Sequence, residues 1–247
     1  MEIEIIYTLW LRQIKRYYRS KSRIIGSLGQ PLLFLLAFGF GFGPIYQKAG
    51  QGNYIELLAP GIIAMSILFT AVFSGIEIIW DKQFGFLKET LVAPVSRLEI
   101  MLGRTLGGAT VAFFQGLIVL VISLFVGFKI ESTHMLLTAF LFMALIAILF
   151  TALGTAIASV LDDMQGFQLI INFLIMPLFF LSGAIFPIEN LPAIITKINP
   201  LAYGVDGLMG ALTNRIHFGF TTDFLVLGTI VVVLMVIGSY LFDKIQI

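Results

Sequence analysis

Six long stretches without a charged side chain constrain the fold of this chain more than any other feature of its sequence. A helix needs about 20 apolar residues to cross the hydrocarbon core of a bilayer, and each stretch is close to that length or longer. Backbone N–H and C=O groups have no water to bind in lipid, so they must be paired inside the chain, as they are in helices. The stretches are residues 24–47, 57–76, 105–128, 135–161, 164–188 and 224–242. We therefore predict an all-α integral membrane protein with six transmembrane helices.

The overall composition excludes a soluble domain. Of 247 residues, 59% are hydrophobic and only 12% are charged, whereas soluble domains have about 25% charged residues. A net charge of +1 gives no indication of nucleic acid as a partner. The chain has no cysteine, and its two histidines, His134 and His217, lie far apart, so we predict neither a disulfide nor a metal site. We also predict no catalytic residue, because no serine in the apolar stretches has a paired base.

The basic residues predict the orientation of the chain. Eleven lysines and arginines lie in the first 23 residues, in the segment after the second stretch or at the C-terminus, and four lie in the alternate loops. The positive-inside rule therefore places both termini in the cytoplasm, which agrees with six spans. We predict a multi-pass protein of the cell membrane with a single transmembrane domain, residues 24–247. Its spans are expected at about 24–43, 58–79, 105–128, 135–160, 166–186 and 222–242.

Residues 1–23 are predicted to form an amphipathic helix before the first span. Charged residues such as Arg12, Lys15 and Arg19 fall on one side of this helix, and apolar residues recur at helical spacing on the other. The apolar side is formed by Ile3, Ile6, Trp10, Ile14 and Tyr17. One interpretation is an anchor in the cytoplasmic interface of the membrane. The other is a docking helix for a cytoplasmic partner, and the two interpretations are compatible.

The loop after the second span contains a predicted short helix over residues 84–92. Phe84, Leu87 and Leu91 would share one face of this helix. Exposing both Phe84 and Phe86 in a cytoplasmic loop is costly unless lipid or protein covers them. A simple connector between two spans is the alternative.

The third span is predicted to begin with a capping box and to make close contacts through small residues. Ser96 and Glu99 have the spacing of a capping box. Gly103 and Gly107 allow close approach of another helix, and we favour packing within the chain over a subunit interface. The same pattern continues at Gly108, Ala112 and Gly116, and it recurs in the fourth span at Gly154 and Ala158.

The segment between the fifth and sixth spans is too apolar for a solvated loop and too short to cross the bilayer twice. We predict a re-entrant pair of short helices at the outer leaflet. Its motif consists of Asn199, Pro200, Tyr203 and Asp206. An acidic residue in such a place is a candidate functional group, although a helix cap or a partner for Arg215 explains Asp206 equally well.

Four segments of the chain resemble the integral membrane subunit of ABC-2-type ABC transporters, especially the small permeases of the daunorubicin-resistance and nodulation-factor-export kind. The resemblance covers nearly the whole chain, beginning with the basic amphipathic N-terminus. The segments are SLGQPLLF at 27–34, LAPGIIAM at 58–65, FGFLKETLVAPVSR at 84–97 and NPLAYGVD at 199–206. The 84–97 motif is the most specific of the four.

The resemblance implies partners and sites. The N-terminal helix would be the family's connecting helix and would contact an ATP-binding cassette subunit through Arg12, Lys15, Arg16 and Arg19. The helix at 84–92 would be the coupling helix, with the contact residues Phe84, Gly85, Phe86, Leu87, Lys88, Glu89 and Thr90. Two copies of the chain would pair with two ATPase subunits around a substrate path. Residues of this sequence that would line the path are Phe69, Phe73, Asn172, Phe179 and Phe180, and ordinary packing is the alternative for each.

The function implied by the resemblance is export of an amphiphilic drug, lipid or glycoconjugate. ATP and Mg²⁺ would bind a separate subunit, because this chain has no GxxxxGK[ST] loop and by itself would not be an enzyme. The alternative is an ion-coupled secondary transporter or channel, which requires ionisable residues near mid-membrane, and only Glu77 comes close. A membrane enzyme is a third alternative. Its nearest candidate groups are Asp162 and Asp163, which are explained more simply by a short cytoplasmic turn.

Overall fold

The computed structural model describes residues 3–50, 52–87 and 95–244, and the regular secondary structure in these ranges is helical, without a strand. The all-α prediction is therefore confirmed. The helices are α1 (Ile3–Arg19), α2 (Lys21–Lys48), α3 (Tyr54–Phe73), α4 (Ile76–Gln83), α5 (Arg97–Val126), α6 (Leu136–Val160), α7 (Met164–Phe180), α8 (Ala193–Ile198), α9 (Pro200–Thr213) and α10 (Phe220–Asp243). Short 3-10 turns lie at Thr133–Met135 and Ile188–Asn190.

Five helical segments of the described chain are long and apolar enough to cross a membrane. They are Lys21–Lys48, Tyr54–Gln83, Arg97–Val126, Thr133–Val160 and Phe220–Phe242. Each contains one of the predicted spans or nearly all of it, so the chain is a multi-pass membrane protein. The predicted capping box is confirmed, and it starts α5 well before residue 105. The Ser96 hydroxyl accepts a hydrogen bond from the Glu99 N–H at 3.2 Å, and Glu99 Oε2 accepts one from the Ser96 N–H at 3.3 Å.

The predicted span at 166–186 is helical only in its first part. α7 has 17 residues, which gives a length of about 25 Å at about 1.5 Å per residue. Pro177 lies in its last turn, and the chain then turns at Gly183, whose φ is +86°. Ala184 and Ile185 are buried, and the carbonyl of Ile185 accepts a hydrogen bond from the Tyr54 hydroxyl at 2.9 Å. A non-helical segment that is held against α3 therefore replaces the end of the predicted helix.

α3 lies at the centre of the bundle. Every residue from Leu57 to Leu68 is buried, and the helix contacts α2, α5, α6 and α9. A Cβ atom on Gly61 would lie 2.0 Å from the carbonyl oxygen of Ala184, so only glycine fits there. The apolar part of α3–α4 is 72% buried within the chain, compared with 17% for α2 and 11% for α10. α2 and α10 therefore present their apolar side chains outward, which suits lipid or another membrane chain.

The second predicted span, 58–79, consists of two helices with a break at Ser74 and Gly75. α6 approaches the break closely, because a Cβ atom on Gly75 would lie 2.4 Å from the carbonyl oxygen of Gly154. The glycines of α5 are likewise in contact with other helices of the same chain, with Gly103 and Gly107 against α1. The predicted packing of small residues within the chain is therefore confirmed.

Candidate functional site

One end of the bundle, which we call the basic end, is where α1 and α4 meet α5. α1 lies along α5 and is fixed there by two hydrogen bonds between side chains. Trp10 Nε1 donates to Thr110 Oγ1 at 3.0 Å, and the Tyr17 hydroxyl donates to Gln115 Oε1 at 2.5 Å. The apolar side of the predicted amphipathic helix is thus used in part for packing against the protein itself. Its basic side is turned toward α4.

A charge network joins α1, α2, α4 and α5 at the basic end. Its members are Arg12, Arg16, Arg23, Glu77, Asp81 and Arg104. Asp81 is the most strongly paired of them, since it accepts a hydrogen bond from Arg104 Nη2 at 2.6 Å and one from Arg12 Nη2 at 3.2 Å. The side chains of Asp81 and Arg104 are only 5% and 3% exposed. Removing one member of such a buried pair leaves an uncompensated charge and costs about 3–5 kcal/mol.

The second carboxylate of the network lies one helical turn before Asp81, so both point from the same side of α4. Glu77 binds the guanidinium of Arg23, from the start of α2, and lies 3.6 Å from Arg16 Nη1. Arg16 is also 3.7 Å from Asp81 and therefore sits between the two carboxylates. Two carboxylates neutralise two of the four guanidinium groups, and the network as a whole keeps a positive charge.

A groove of about 620 Å³ lies over this network, and we call it the basic–aromatic groove. It is lined by Thr8, Leu11, Arg12, Lys15, Arg16 and Arg19 from α1 and by Trp80, Asp81, Phe84 and Phe86 from α4 and the turn after it. Lys15 and Arg19 are exposed and make no ion pair within the part of the chain that the structure describes. Phe84 is 70% exposed and Phe86 is 53% exposed. Unpaired cations beside exposed aromatic rings are suited to an acidic partner surface with an apolar pocket.

The predicted helix at 84–92 agrees with the structure only in part where the two can be compared, because Phe86 and Leu87 are helical but Phe84 and Gly85 are not. α4 extends to Gln83, Phe84 caps it, and Gly85 adopts a φ of +80°. A left-handed residue at this place ends an α-helix, so Phe84 belongs to the end of one helix rather than to the start of the next. The predicted common face is also wrong, because Phe84 is exposed whereas Leu87 is buried. Lys88, Glu89 and Thr90 lie outside the described residues.

The predicted path residues do not form one lining. Phe69 and Phe73 face the same cavity of about 360 Å³, between α1, α2, α3 and α5. Asn172 and Phe180 lie on the exposed side of α7. Phe179 is completely buried and packs against Phe34, with ring centroids 6.3 Å apart.

The turn between α6 and α7 closes the basic end on another side. Asp163 caps α7 by accepting hydrogen bonds from the N–H groups of Gln165 and Gly166, at 2.7 and 3.0 Å. Lys82 Nζ donates to the carbonyl of Leu161 at 3.0 Å and lies 3.2 Å from Asp162. The two aspartates thus form a structural turn, as the simpler interpretation of the sequence predicted. Through Lys82 this turn is tied to α4.

At the opposite end of the bundle, the predicted motif holds α8 and α9 in place. Asn199 caps α9 by accepting a hydrogen bond from the Leu201 N–H at 3.0 Å, and its amide donates to the carbonyl of Leu178 at 2.7 Å. Pro200 is the first residue of α9, where its missing N–H is not needed. The Tyr203 hydroxyl donates to the carbonyl of Lys197 at 2.8 Å. Burial, together with the negative charge of Asp223, raises the pKa of Tyr203, so its phenol stays a donor.

Asp206 holds the loop that leads into α10. Its carboxylate accepts hydrogen bonds from the N–H groups of His217 and Phe218, at 2.8 and 2.7 Å. Arg215 pairs with Glu56 instead, at 3.4 Å. Of the two structural interpretations, the predicted ion pair with Arg215 is therefore wrong. The predicted capping role is correct in that Asp206 binds backbone N–H groups, but these groups belong to a loop and not to the start of a helix.

Sequence reasoning missed several charged residues that the structure brings together. Arg23 and Arg104 contributed only to the count of basic residues and to the bounds of the apolar stretches, and Asp81 was given no role. The spacing of Glu77 and Asp81, one turn apart directly after an apolar stretch, was an available signal for two carboxylates on one helix face. Asp223 directly precedes the last stretch. It is fully buried, and its carboxylate oxygens have no hydrogen-bond partner among the described residues.

Comparison with known proteins gives a consistent result. A family model described as ABC-2 type transporter matches residues 4–213. A putative transport permease, ycf38, of Cyanophora paradoxa is 28% identical over 214 residues, covering 83% of this chain and 72% of the relative. Nodulation protein J of Sinorhizobium fredii is 26% identical over 216 residues, covering 83% and 82%. The inner membrane transport permease YadH of Escherichia coli is 26% identical over 205 residues, covering 81% and 79%.

Proposed function

The chain belongs to the ABC-2 type transporter family, and from this premise we propose that it is the membrane-spanning permease subunit of an ATP-binding cassette exporter. A separate subunit would bind ATP and Mg²⁺ and hydrolyse the ATP, while this chain would move an amphiphilic drug, lipid or glycoconjugate outward. The observation that carries the proposal is the basic–aromatic groove. It presents unpaired cations and exposed aromatic rings at the start of the 84–97 motif, where an ATPase subunit would have to bind.

The contacts around the groove provide a route for mechanical coupling. A partner that pushes on Phe86 moves the end of α4, because only the short turn at Gly85 separates them. α4 is linked to α1, α2 and α5 through Glu77 and Asp81, and to the α6–α7 turn through Lys82. Movement at one turn would therefore reach several spans at once. ATP can shift the transporter between two states only if the partner binds those states with different affinity.

Orientation and assembly form part of the same proposal. The basic end would face the cytoplasm, with both termini there, and α7 with the buried segment after it would count as the sixth crossing of the cell membrane. Two copies of the chain would pair with two ATPase subunits. The outward apolar faces of α2 and of α7, where Phe173 is 84% exposed, provide surfaces for lipid or for a second copy.

An ion-coupled transporter or channel is the alternative class. Such a protein needs ionisable groups in the middle of the membrane. In the spans that the structure describes, charged residues lie only near the ends, with Glu77, Asp81 and Arg104 at the basic end and Asp223 at the other. This distribution favours the exporter.

The experiment that tests the proposal is gentle detergent extraction of the tagged chain from its native membranes, with identification of the proteins that copurify. We expect a stoichiometric ATPase subunit, and we expect charged detergents or high salt to release it, because cations contribute to the contact. A clean homo-oligomer without an ATPase, under conditions that preserve known transporter complexes, would contradict the proposal.

A pair of matched variants tests whether the groove is the binding surface. Phe86→Ala should weaken ATPase binding by about tenfold, since truncating an aromatic anchor at an interface costs about 1–2 kcal/mol or more. Phe125→Ala removes a ring that is 87% exposed on α5, away from the groove, and should leave binding unchanged. Equal effects of the two variants would place the ATPase elsewhere.

A further inference from the structure

The cavity between α1, α2, α3 and α5, which we call the inner cavity, changes in polarity along its length. It is lined by Gln13, Tyr17, Arg23, Gly26, Ser27, Gln30, Pro31, Phe69, Thr70, Phe73, Ser74, Glu77, Gly108 and Val111. The ion pair of Arg23 and Glu77 lies at the basic end of the bundle, and apolar side chains such as Phe69 and Val111 lie farther along the spans. A molecule inside would therefore meet the ion pair at one end and mostly hydrocarbon and aromatic groups, with Gln30 and Thr70 beside them, at the other.

The polar groups of the inner cavity are mostly uncharged. Its two charged side chains, Arg23 and Glu77, form an ion pair with each other. The remaining polar side chains are amides and hydroxyls, and the amides of Gln13 and Gln30 make no hydrogen bond to the part of the chain that the structure describes. A glutamine amide offers two donors and an acceptor with two lone pairs. Such a lining binds hydroxyl-rich or amide-containing groups better than it binds an isolated charge.

The cavity is accessible beside the first half of α2. Cβ atoms added to Gly26 and Gly29 would meet no atom within 4 Å, so α2 is not packed tightly there. Ile25 is 71% exposed on the same part of the helix. On α3, which is otherwise deeply buried, the partly exposed residues near its end include Phe69 and Phe73. The opening thus lies between α2 and the rest of the bundle, on the half of the spans nearer to the basic end.

We propose that the inner cavity is a loading site of the exporter and that it binds a single-chain amphiphile with an uncharged, hydrogen-bonding head group. The head group is held by Gln13 beside the ion pair, and the chain lies along Phe73 and Phe69 toward Gln30. The volume of about 360 Å³ is near the lower end of the range of about 300–1,000 Å³ for small-molecule pockets, which suits one chain with a small head. The inference rests on the proposed function, and it adds a site and a substrate class to it.

The test uses the full chain, together with any subunit that copurifies, in nanodiscs of phosphatidylcholine. Three photoreactive probes share one decyl chain with a diazirine and differ in their heads, which are glucoside, trimethylammonium and sulfate. We expect the glucoside to label the peptides around residues 23–31 and 69–74 about tenfold more than either charged probe, because a partly buried unpaired charge costs at least about 1–2 kcal/mol. Equal labelling by the three probes, or labelling confined to the outward faces of α2 and α10, would overturn the proposal.

Two glycines of α2 offer a matched pair of variants. Gly26 lines the inner cavity and has room for a side chain, so Gly26→Trp should fill the cavity and abolish glucoside labelling at residues 69–74. Gly29 has the same freedom but does not line the cavity, so Gly29→Trp should keep the labelling. Loss of labelling in both variants, or in neither, would contradict the site.

A charge variant tests the basis of selectivity. Arg23→Gln removes the partner of Glu77 inside the cavity and leaves only the longer contact of Glu77 with Arg16. Labelling by the trimethylammonium probe should then rise by about fivefold to tenfold relative to the glucoside, since Glu77 keeps only the 3.6 Å contact with Arg16 and can attract a cation at short range. An unchanged ratio between the two probes would show that the ion pair does not set the selectivity.

The same samples separate this proposal from the function on which it rests. ATPase activity and the copurifying subunit are measured beside the labelling. A stoichiometric ATPase without glucoside labelling would overturn the loading site alone. Selective labelling in a preparation without any ATPase would support the site and overturn the exporter.

Discussion

The two ends of the bundle are held together by different kinds of interaction. At the basic end, ion pairs connect four helices that are distant in sequence, with Asp81 shared by Arg12 and Arg104. At the opposite end, Asn199 and Asp206 bind backbone groups within one continuous part of the chain, from Leu178 to Phe218. Ion pairs can exchange partners without unfolding a helix, whereas a capped loop has one arrangement. We therefore expect the basic end to rearrange more readily than the opposite end.

Arg16 shows how such a rearrangement could proceed. It lies 3.6 Å from Glu77 and 3.7 Å from Asp81, so a small shift of α1 along α4 strengthens one contact at the expense of the other. A guanidinium has five N–H donors and can keep several acceptors during this exchange. No comparable choice exists for Asp206, whose oxygens bind the N–H groups of two adjacent residues.

The largest effect is expected for Asp81→Asn. The change leaves Arg104 buried without its ionic partner, and the free energy of unfolding should fall by about 3–5 kcal/mol. The measurement is thermal or denaturant unfolding in a mild detergent. Asp162→Asn is the control, because the side chain of Asp162 is 90% exposed and surface ion pairs contribute about 0–1 kcal/mol. If both variants lose the same stability, the network is not buried in the membrane protein.

The second prediction concerns the opposite end. Asp206→Ala removes the acceptor of the His217 and Phe218 N–H groups, and we expect a loss of about 1.5–3 kcal/mol in the free energy of unfolding. Asp206→Asn keeps one carbonyl acceptor and should lose less. Binding of the ATPase subunit should be unchanged in both variants, since the proposed binding groove lies at the other end. Reduced binding in Asp206→Ala would contradict the separation of the two ends.

The sequence predicted most of the helices because apolar length is a local property. It could not predict where a helix breaks under the influence of other parts of the chain. α7 ends at Phe180 because the next residues are held by Tyr54, more than 120 positions away in the sequence. The break at Gly75 likewise depends on contact with Gly154 in another span.

The candidate site could be predicted only in part, for a related reason. Arg12 and Arg16 were recognised as basic residues of an amphipathic helix, but periodicity does not reveal what faces them. Their carboxylate partners lie on α4, and pairing between distant segments leaves no periodic signal in a single sequence. The sequence could not predict that Phe86 is exposed and Leu87 is buried either. Gly85 changes the direction of the chain just before them.

The third prediction separates docking from internal pairing at the basic end. Lys15 and Arg19 line the groove but make no ion pair in the described chain, so the double variant Lys15→Glu, Arg19→Glu should leave stability almost unchanged. Its affinity for the ATPase subunit should fall by about tenfold, with a smaller salt dependence than in the unmodified chain. Lys21→Glu, an exposed charge reversal outside the groove, is the control. If Lys21→Glu weakens binding as much, the effect reflects overall charge rather than the groove.

The smallest effect is expected for Tyr203→Phe at the opposite end. The variant loses one neutral hydrogen bond, to the carbonyl of Lys197, and its free energy of unfolding should fall by about 0.5–1.5 kcal/mol.

Because burial raises the pKa of Tyr203, the native state holds the phenol proton more tightly than the unfolded state does. The contribution of protonated Tyr203 to the free energy of unfolding is therefore complete below pH ~10 and decreases as the pH rises further. Tyr203→Phe should remove that part of the alkaline loss of stability, whereas Tyr18→Phe, on the 80% exposed Tyr18 of α1, should not. An effect of Tyr203→Phe as large as that of Asp81→Asn would mean that the opposite end depends on a single side chain and is not a multiply capped unit.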